Sequence, residues 1–283
     1  MKSGGILVLS GVLAIVILPG CQPSNLSVRV DRERNILTQF LSETKVEGTG
    51  VFGDQAELKT ETTWRMTFYP EKNGLREVRI IGAGFKADGR EKGGSLNSEL
   101  ARKAIEAVDL RLTINQQGRT LSWSEDSDAL KAGGLDQAVF AATATFRAIG
   151  PLGIVLPKET LKPGMSYGFM ADLGPVLGLD STKEEGTLEA EGTYVGPEKV
   201  GSREAVKFLF NSNSTFSRTL KFQGQELDVK GESKTETTAW VDKRSGLILK
   251  SEWISTNKLS LPDGAGGLTQ TEKGSSQLKS NPE

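Results

Sequence analysis

The chain has 283 residues, 35 Lys and Arg against 36 Asp and Glu, a formal net charge of −1, one cysteine and no histidine. A balanced charge without a basic stripe excludes the electrostatic footprint of a nucleic-acid binder. Without histidine there is no His-based acid–base catalysis, no Ser-His-Asp or Cys-His nucleophile and no His-ligated metal. A carboxylate pair or a Ser/Lys arrangement survives as enzyme chemistry, but neither leaves a readable local signature, so no catalytic residue, cofactor or metal is assigned from the sequence and no enzyme is expected.

The chain opens on Met1-Lys2, and an apolar run follows over residues 6–18. About 13 residues suit the roughly 7–15 of a signal-peptide core and fall short of the roughly 20 that span a bilayer. The run ends in Leu18-Pro19-Gly20-Cys21, which holds the only cysteine. This arrangement resembles a bacterial lipoprotein signal peptide with its lipobox. The resemblance implies that residues 1–20 are removed and that Cys21 becomes a diacylglyceryl cysteine, further acylated by a fatty acid such as palmitate. Residues 21–30 are then anchor and tether, the membrane is a partner through acylated Cys21, and the protein sits in the cell envelope on an extracytoplasmic face. Gln22 follows the cysteine where an Asp would retain a Gram-negative lipoprotein in the inner membrane. In such a cell the resemblance implies the outer membrane.

Residues 31–262 read as an antiparallel β domain. Residues 36–46 fit either a helix (Ile36, Leu37, Phe40, Leu41) or a strand (Ile36, Thr38, Phe40, Val46), and strand is preferred. From 58 to 68 the even positions Leu58, Trp64, Met66 and Phe68 alternate with charged or polar odd ones, the two-residue period of a half-buried strand. Residues 70–74 make a turn and 75–81 a returning strand. Asn97 is a helix N-cap candidate with Glu99 in the first turn, and Leu100, Ala104, Ala107 and Val108 recur at helical spacing. A hairpin follows, with Leu110, Leu112 and Ile114 before Gln117-Gly118, and Leu121 and Trp123 after it. The acidic cluster Glu125, Asp126 and Asp128 lacks the glycine and asparagine pattern of a calcium loop and reads as surface.

A second helix is expected over residues 135–148, with Leu135, Val139, Ala142 and Phe146 on one face. Residues 150–179 are rich in Gly, Pro and apolar side chains. They suit a connector on the core edge or a mobile apolar lip over a cavity. Strands return with Val206, Phe208 and Phe210, then Phe216, Leu220 and Phe222, then a long one reaching Val241. Ser245-Gly246 turns into Leu247, Leu249 and Trp253. Residues 263–283 are polar with two leucines, and a disordered tail is expected, because little burial is on offer to offset ordering. Lys59-Thr60-Glu61-Thr62-Thr63-Trp64 echoes Lys234-Thr235-Glu236-Thr237-Thr238-Ala239-Trp240. Either duplication of two similar halves, about 31–155 and 156–262, or convergence of Thr-rich strands accounts for it.

The expected fold is thus α+β and mainly β: a curved antiparallel, half-barrel-like sheet with two inserted helices. With a lipid anchor this resembles the half-barrel lipoproteins, namely the lipoprotein-localisation carriers of the LolA/LolB type and the mycobacterial lipid-binding lipoproteins. Pro157, Gly164 and Tyr167, followed by Asp242 and Gly246, also resemble the turn motifs of a group of uncharacterised bacterial lipoproteins. Those motifs are turn chemistry and carry no catalytic residue. Two functions follow as expectations: a non-catalytic structural or partner-binding module of the envelope, or a carrier of a lipid or acyl chain. In the second, Trp64, Met66, Phe68, Val139 and Phe146 would line the cavity.

Overall fold

A computed structural model describes residues 26–50, 56–91, 102–103, 105–106, 108–125, 154–172, 185–222, 225–261 and 266–280. The described residues form eleven strands: β1 (Arg34–Gly50), β2 (Ala56–Phe68), β3 (Leu75–Glu91), β4 (Asp109–Asn115), β5 (Thr120–Glu125), β6 (Ser166–Asp172), β7 (Glu185–Val200), β8 (Arg203–Phe222), β9 (Gln225–Asp242), β10 (Ile248–Ser260) and β11 (Gly266–Ser280). All lie in one sheet, in the order β5-β4-β3-β2-β1-β11-β10-β9-β8-β7-β6. Every pairing is antiparallel. The chain starts at the centre, winds out to the β5 edge, resumes at the β6 edge and winds back to the centre.

This corrects the expectation of an α+β fold with two inserted helices. Among the described residues the protein is nearly all β; of the first expected helix Arg102, Lys103, Ile105 and Glu106 are described, as a helical turn, and its start at Asn97 lies outside the described residues. The strand ahead of it runs on to Glu91 instead of stopping near Ile81. A bulge opposite Thr63 and Trp64 interrupts its alternation, and Gly82 offers no side chain. The missing Cβ of Gly82 makes room for the carbonyl of Ile105, which packs against it. The second expected helix, with Val139 and Phe146, lies outside the described residues.

The larger correction concerns the C-terminus. Residues 263–283 were expected to be a disordered tail, yet β11 is the strand that joins the two arms of the sheet, pairing with β1 on one side and β10 on the other. A central strand satisfies its backbone groups from both neighbours and needs few apolar side chains to stay ordered. Its inward polar groups find partners too. The Ser276 and Ser251 hydroxyls lie 2.6 Å apart, and Glu272 accepts from the Trp253 indole at 3.3 Å. Strands β1–β5 come from residues 31–155 and β6–β10 from 156–262, with β11 set between them.

One face of the sheet is buried. Ile36, Phe40, Trp64, Met66, Phe68, Val78, Ile80, Leu110, Leu112 and Ile114 point inward from one arm, and Tyr194, Val206, Phe208, Phe210, Ala239 and Val241 from the other, forming a single core. Glycines admit aromatic rings across the sheet. Gly192 lies opposite both Phe210 and Tyr167, whose rings cover it. A Cβ there would come within 2.7 Å of Phe210 and 2.8 Å of Tyr167. Gly192→Val is therefore expected to cost about 1–3 kcal/mol of stability through overpacking, read as a lower urea midpoint at unchanged slope.

A strap formed by residues 26–30 closes the end of the sheet where β1 begins. Leu26, Val28 and Val30 are buried in the core. The Val28 amide donates to Gln116 O in the β4–β5 turn, and the Arg29 amide to Ser245 O in the β9–β10 turn, both at 2.8 Å. The strap thus ties the two arms together. Buried Arg76 locks it, donating to Val30 O at 2.8 Å, Tyr69 O at 2.5 Å and Val28 O at 3.4 Å. Burial lowers the pKa of that guanidinium. In the β9–β10 turn, the Asp242 carboxylate accepts from the Arg244 and Ser245 amides, each at 2.8 Å. Gly246, at φ 69°, ends the turn in the left-handed region.

Candidate functional site: a cleft on the outward face

Alternation sends every second residue of these strands outward. Where two apolar residues stand next to each other in a strand, one of them has to face out. Phe40-Leu41, Phe208-Leu209 and Trp253-Ile254 each bury the aromatic ring or hold it half-buried on the inner side and leave the aliphatic neighbour outside. Leu41, Leu209 and Ile254 are 47%, 44% and 52% exposed. All three, together with Ser42, Thr60, Phe210 and Trp253 of the row between them, line one concave cleft of about 940 Å³ that crosses seven consecutive strands from β3 to β8.

Charges frame this apolar floor. Strand register sets Asp88, Lys59, Glu43 and Lys273 side by side on β3, β2, β1 and β11, with Ile254 and Glu236 continuing the row on β10 and β9. The Lys59 ammonium donates to Glu43 at 2.8 Å. That bond holds the Glu43 carboxyl below its ordinary pKa and raises Lys59 above its own. Glu61 accepts from Gln39 at 2.6 Å and lies 3.5 Å from Lys86. Fully exposed pairs of this kind add little stability but give a surface a definite charge pattern. The alternation of charge also distinguishes this face from the continuous apolar band by which a membrane barrel meets lipid.

A second outward feature lies nearer the strap. Trp240 faces out, is 8% exposed, and packs with Ala205 and Leu249. Lys207 and Lys250 lie over its ring, 5.2 and 4.7 Å from the centroid. This is a covered cation–π cluster with no open ring face on offer.

The inner face is filled where the expected ligand residues sit. Trp64, Met66 and Phe68 are 1–3% exposed and belong to the core. The void that Met66 and Phe68 share with the strap and with Ile154 and Leu156 measures about 40 Å³, room for a water molecule but not for an acyl chain. Val139 and Phe146 lie outside the described residues, as do Cys21, Asp126 and Asp128. Within the Gly/Pro-rich stretch, Ile154, Leu156 and Leu161 are buried in the core, so this part is a packed connector. Tyr167 belongs to the core edge. Its hydroxyl donates to Val155 O at 2.7 Å, its ring meets Phe208 and Phe210 edge-on, and burial raises its pKa. Farther from the strap the inner positions carry polar side chains paired with one another, such as the Ser42 and Thr60 hydroxyls 2.7 Å apart and the Ser233 hydroxyl donating to Asn257 Oδ1 at 2.5 Å.

No family model and no curated protein sequence matches the chain. Among solved structures it is similar to lipovitellin, at 11% identity and a TM-score of 0.43, over 89% of this chain and 25% of that one. The chain thus spans about a quarter of lipovitellin's length. It is also similar to an exported protein with a YmcC-like fold from Bacteroides fragilis, at 12% identity and a TM-score of 0.25, over 87% of this chain and 95% of that one. A third is the hypothetical lipoprotein YmcC from Escherichia coli, at 10% identity and a TM-score of 0.16, over 82% and 85% of the two chains. The likeness is one of β architecture.

Acid should weaken the β3–β4 contact. Asp109 takes two hydrogen bonds from Arg79, at 2.8 and 2.5 Å, and the first effect of this pairing is to hold its carboxyl below the usual carboxylate range. A carboxyl with a lowered folded-state pKa contributes stability above its unfolded pKa and loses it as pH falls through the folded one. Asp109→Asn should therefore be less stable than the parent at neutral pH, and the gap should close as pH is lowered to about 2. Urea midpoints across that range measure it.

Proposed function

We propose that the protein is a non-catalytic, lipid-anchored module of the bacterial envelope that binds a partner in the outward cleft. The observation that carries this reading is the cleft itself, about 940 Å³ with Leu41, Leu209 and Ile254 exposed in its floor. Exposed aliphatic side chains within a ring of charge are the composition of a recognition surface: apolar at the centre, polar at the rim. The 6–18 run and Cys21 support the anchor. The two buried carboxylates among the described residues support a non-catalytic role. Asp242 is engaged by turn amides and Glu272 by Trp253 and Gln270, and neither faces the cleft.

A photo-crosslinking residue placed at Leu209 in the living cell tests this reading, with Val195, exposed on β7 outside the cleft, as reference. The reading predicts a discrete adduct with one protein at position 209, absent at 195 and lost when Ile254→Lys is added. Equal or diffuse labelling at both positions would overturn it. Leu209→Ala and Ile254→Ala should shift stability by no more than about 0.5 kcal/mol, since both side chains are already largely in water.

A further inference from the structure

The turns at the strap end differ from the rest of the surface in charge. The strap and the residues after it carry Arg29 and Arg32, the connector carries Lys158 and Lys162, and the β9–β10 turn carries Lys243 and Arg244. Lys72 and Arg119, in the β2–β3 and β4–β5 turns, bring the cations to eight. The described turn residues at this end hold five carboxylates, Asp31, Glu33, Glu71, Glu159 and Asp242, the last of them engaged by turn amides. All of these cations are exposed except Lys243, which is half-buried and 4.0 Å from Glu204. The whole chain carries a net charge of −1, so the positive excess at this end is a local segregation.

The same end receives the N-terminal chain. Leu26 is the first described residue and is already buried, only five positions past Cys21. Five peptide units reach roughly 18 Å at full extension, and strands the length of β8 run roughly 60 Å. The strap is bonded to both arms and clamped by Arg76, so the point where the tether enters is rigid with the sheet. An acyl group on Cys21 would bring the basic turns within one or two Debye lengths of the bilayer surface, where Lys and Arg feel anionic headgroups.

We infer that the strap end of the sheet is a second membrane contact, with its basic turns resting on the anionic phospholipid headgroups of the bilayer that holds the anchor. This rests on the anchor assigned above and adds to it an orientation. The strands stand away from the membrane, and the outward cleft, near mid-strand, is lifted clear of the surface. The acyl chains on Cys21 supply the attachment, and the basic turns add an electrostatic contact with anionic headgroups that fixes which end of the sheet faces the bilayer.

The test uses the processed chain purified from its own envelope and bound to vesicles of phosphatidylcholine alone or with a minority of phosphatidylglycerol. A fluorophore is placed on Ser202→Cys, in the exposed β7–β8 turn at the strap end, or on Lys258→Cys, near the far end of β10. A headgroup-borne quencher reports proximity. The inference predicts severalfold stronger quenching at position 202 than at 258 on phosphatidylglycerol vesicles. The contrast should shrink in high salt and in a variant combining Arg29→Gln, Lys158→Gln and Lys162→Gln. Each neutralisation should lower low-salt binding to anionic vesicles about fivefold. Equal quenching at the two positions, or a contrast indifferent to phosphatidylglycerol, would overturn it. Flotation in high salt reads the anchor separately. A chain that leaves both vesicle types in high salt, yet shows the phosphatidylglycerol-dependent contrast in low salt, would overturn the anchor and support the basic contact.

Discussion

Arg76→Ala is expected to lower the unfolding free energy by about 3–5 kcal/mol, because backbone carbonyls buried at the strap lose a charged donor. Val30 O and Tyr69 O are bonded at 2.8 and 2.5 Å and Val28 O at 3.4 Å, all by one guanidinium. Two of these acceptors belong to the strap and one to the end of the β2–β3 connection, so the side chain sets where the N-terminal segment lies. Arg76→Lys should recover only part of the loss, since an ammonium cannot present several donors in one plane. Guanidinium unfolding curves measure the loss. Proteolysis within residues 26–33 should accelerate in parallel, because this segment would open before the sheet. An Arg76→Ala protein with parental stability and strap protection would show that the clamp is incidental.

Phe208→Ala should cost about as much, roughly 3–5 kcal/mol, as a large ring fully removed from a packed core. Phe208 is 1% exposed, and its ring lies 5.4 Å from Tyr194, 5.7 Å from Phe210 and 6.3 Å from Tyr167. These rings come from β6, β7 and β8, so the substitution should loosen the β6 edge before the centre of the sheet. At about 2–4 °C per kcal/mol for a chain of this size, the melting temperature should fall by roughly 10 °C. Amide exchange should show β6 and β7 losing protection ahead of β1 and β11. A uniform loss would contradict the placement of this cluster at the edge of the core.

The strands were legible where alternation was unbroken. In β2, Trp64, Met66 and Phe68 are buried and Lys59 and Arg65 are exposed, as their two-residue period requires. Legibility failed where pairing, and not patterning, makes the strand. β11 carries Thr, Ser, Gln and Lys, and nothing in those residues says that β1 and β10 will flank it. Chain topology brings both neighbours, and that is a property of the whole sheet. The second arm of β3 failed for another reason, since the bulge beside Gly82 shifts the alternation and hides the strand from a local reading.

The candidate site was harder to see than the fold. The large aromatic residues drew attention to the inner face, and Trp64, Met66 and Phe68 proved to be core. The signal for the outward cleft was present in the Phe-Leu and Trp-Ile doublets, each of which breaks a two-residue period and forces one apolar side chain into water. Register then gathers Leu41, Leu209 and Ile254 into one concavity. The Lys-Thr-Glu-Thr echo also acquires a physical meaning. Lys59 and Glu61, like Lys234 and Glu236, are all outward, but the extra Ala239 places Trp240 outside where Trp64 is inside. The two segments therefore share an outer face and differ in what they give the core.

The central claim is that the inner face around Trp64, Met66 and Phe68 is filled by the chain's own side chains and that recognition takes place outside. Native mass spectrometry of the processed protein, taken from its own envelope and measured before and after organic extraction, tests it most directly. The account predicts the mass of the chain from Cys21 with its acyl groups, unchanged by extraction. A further lipid-sized adduct, bound one to one and released by solvent, would contradict it and make the sheet a container.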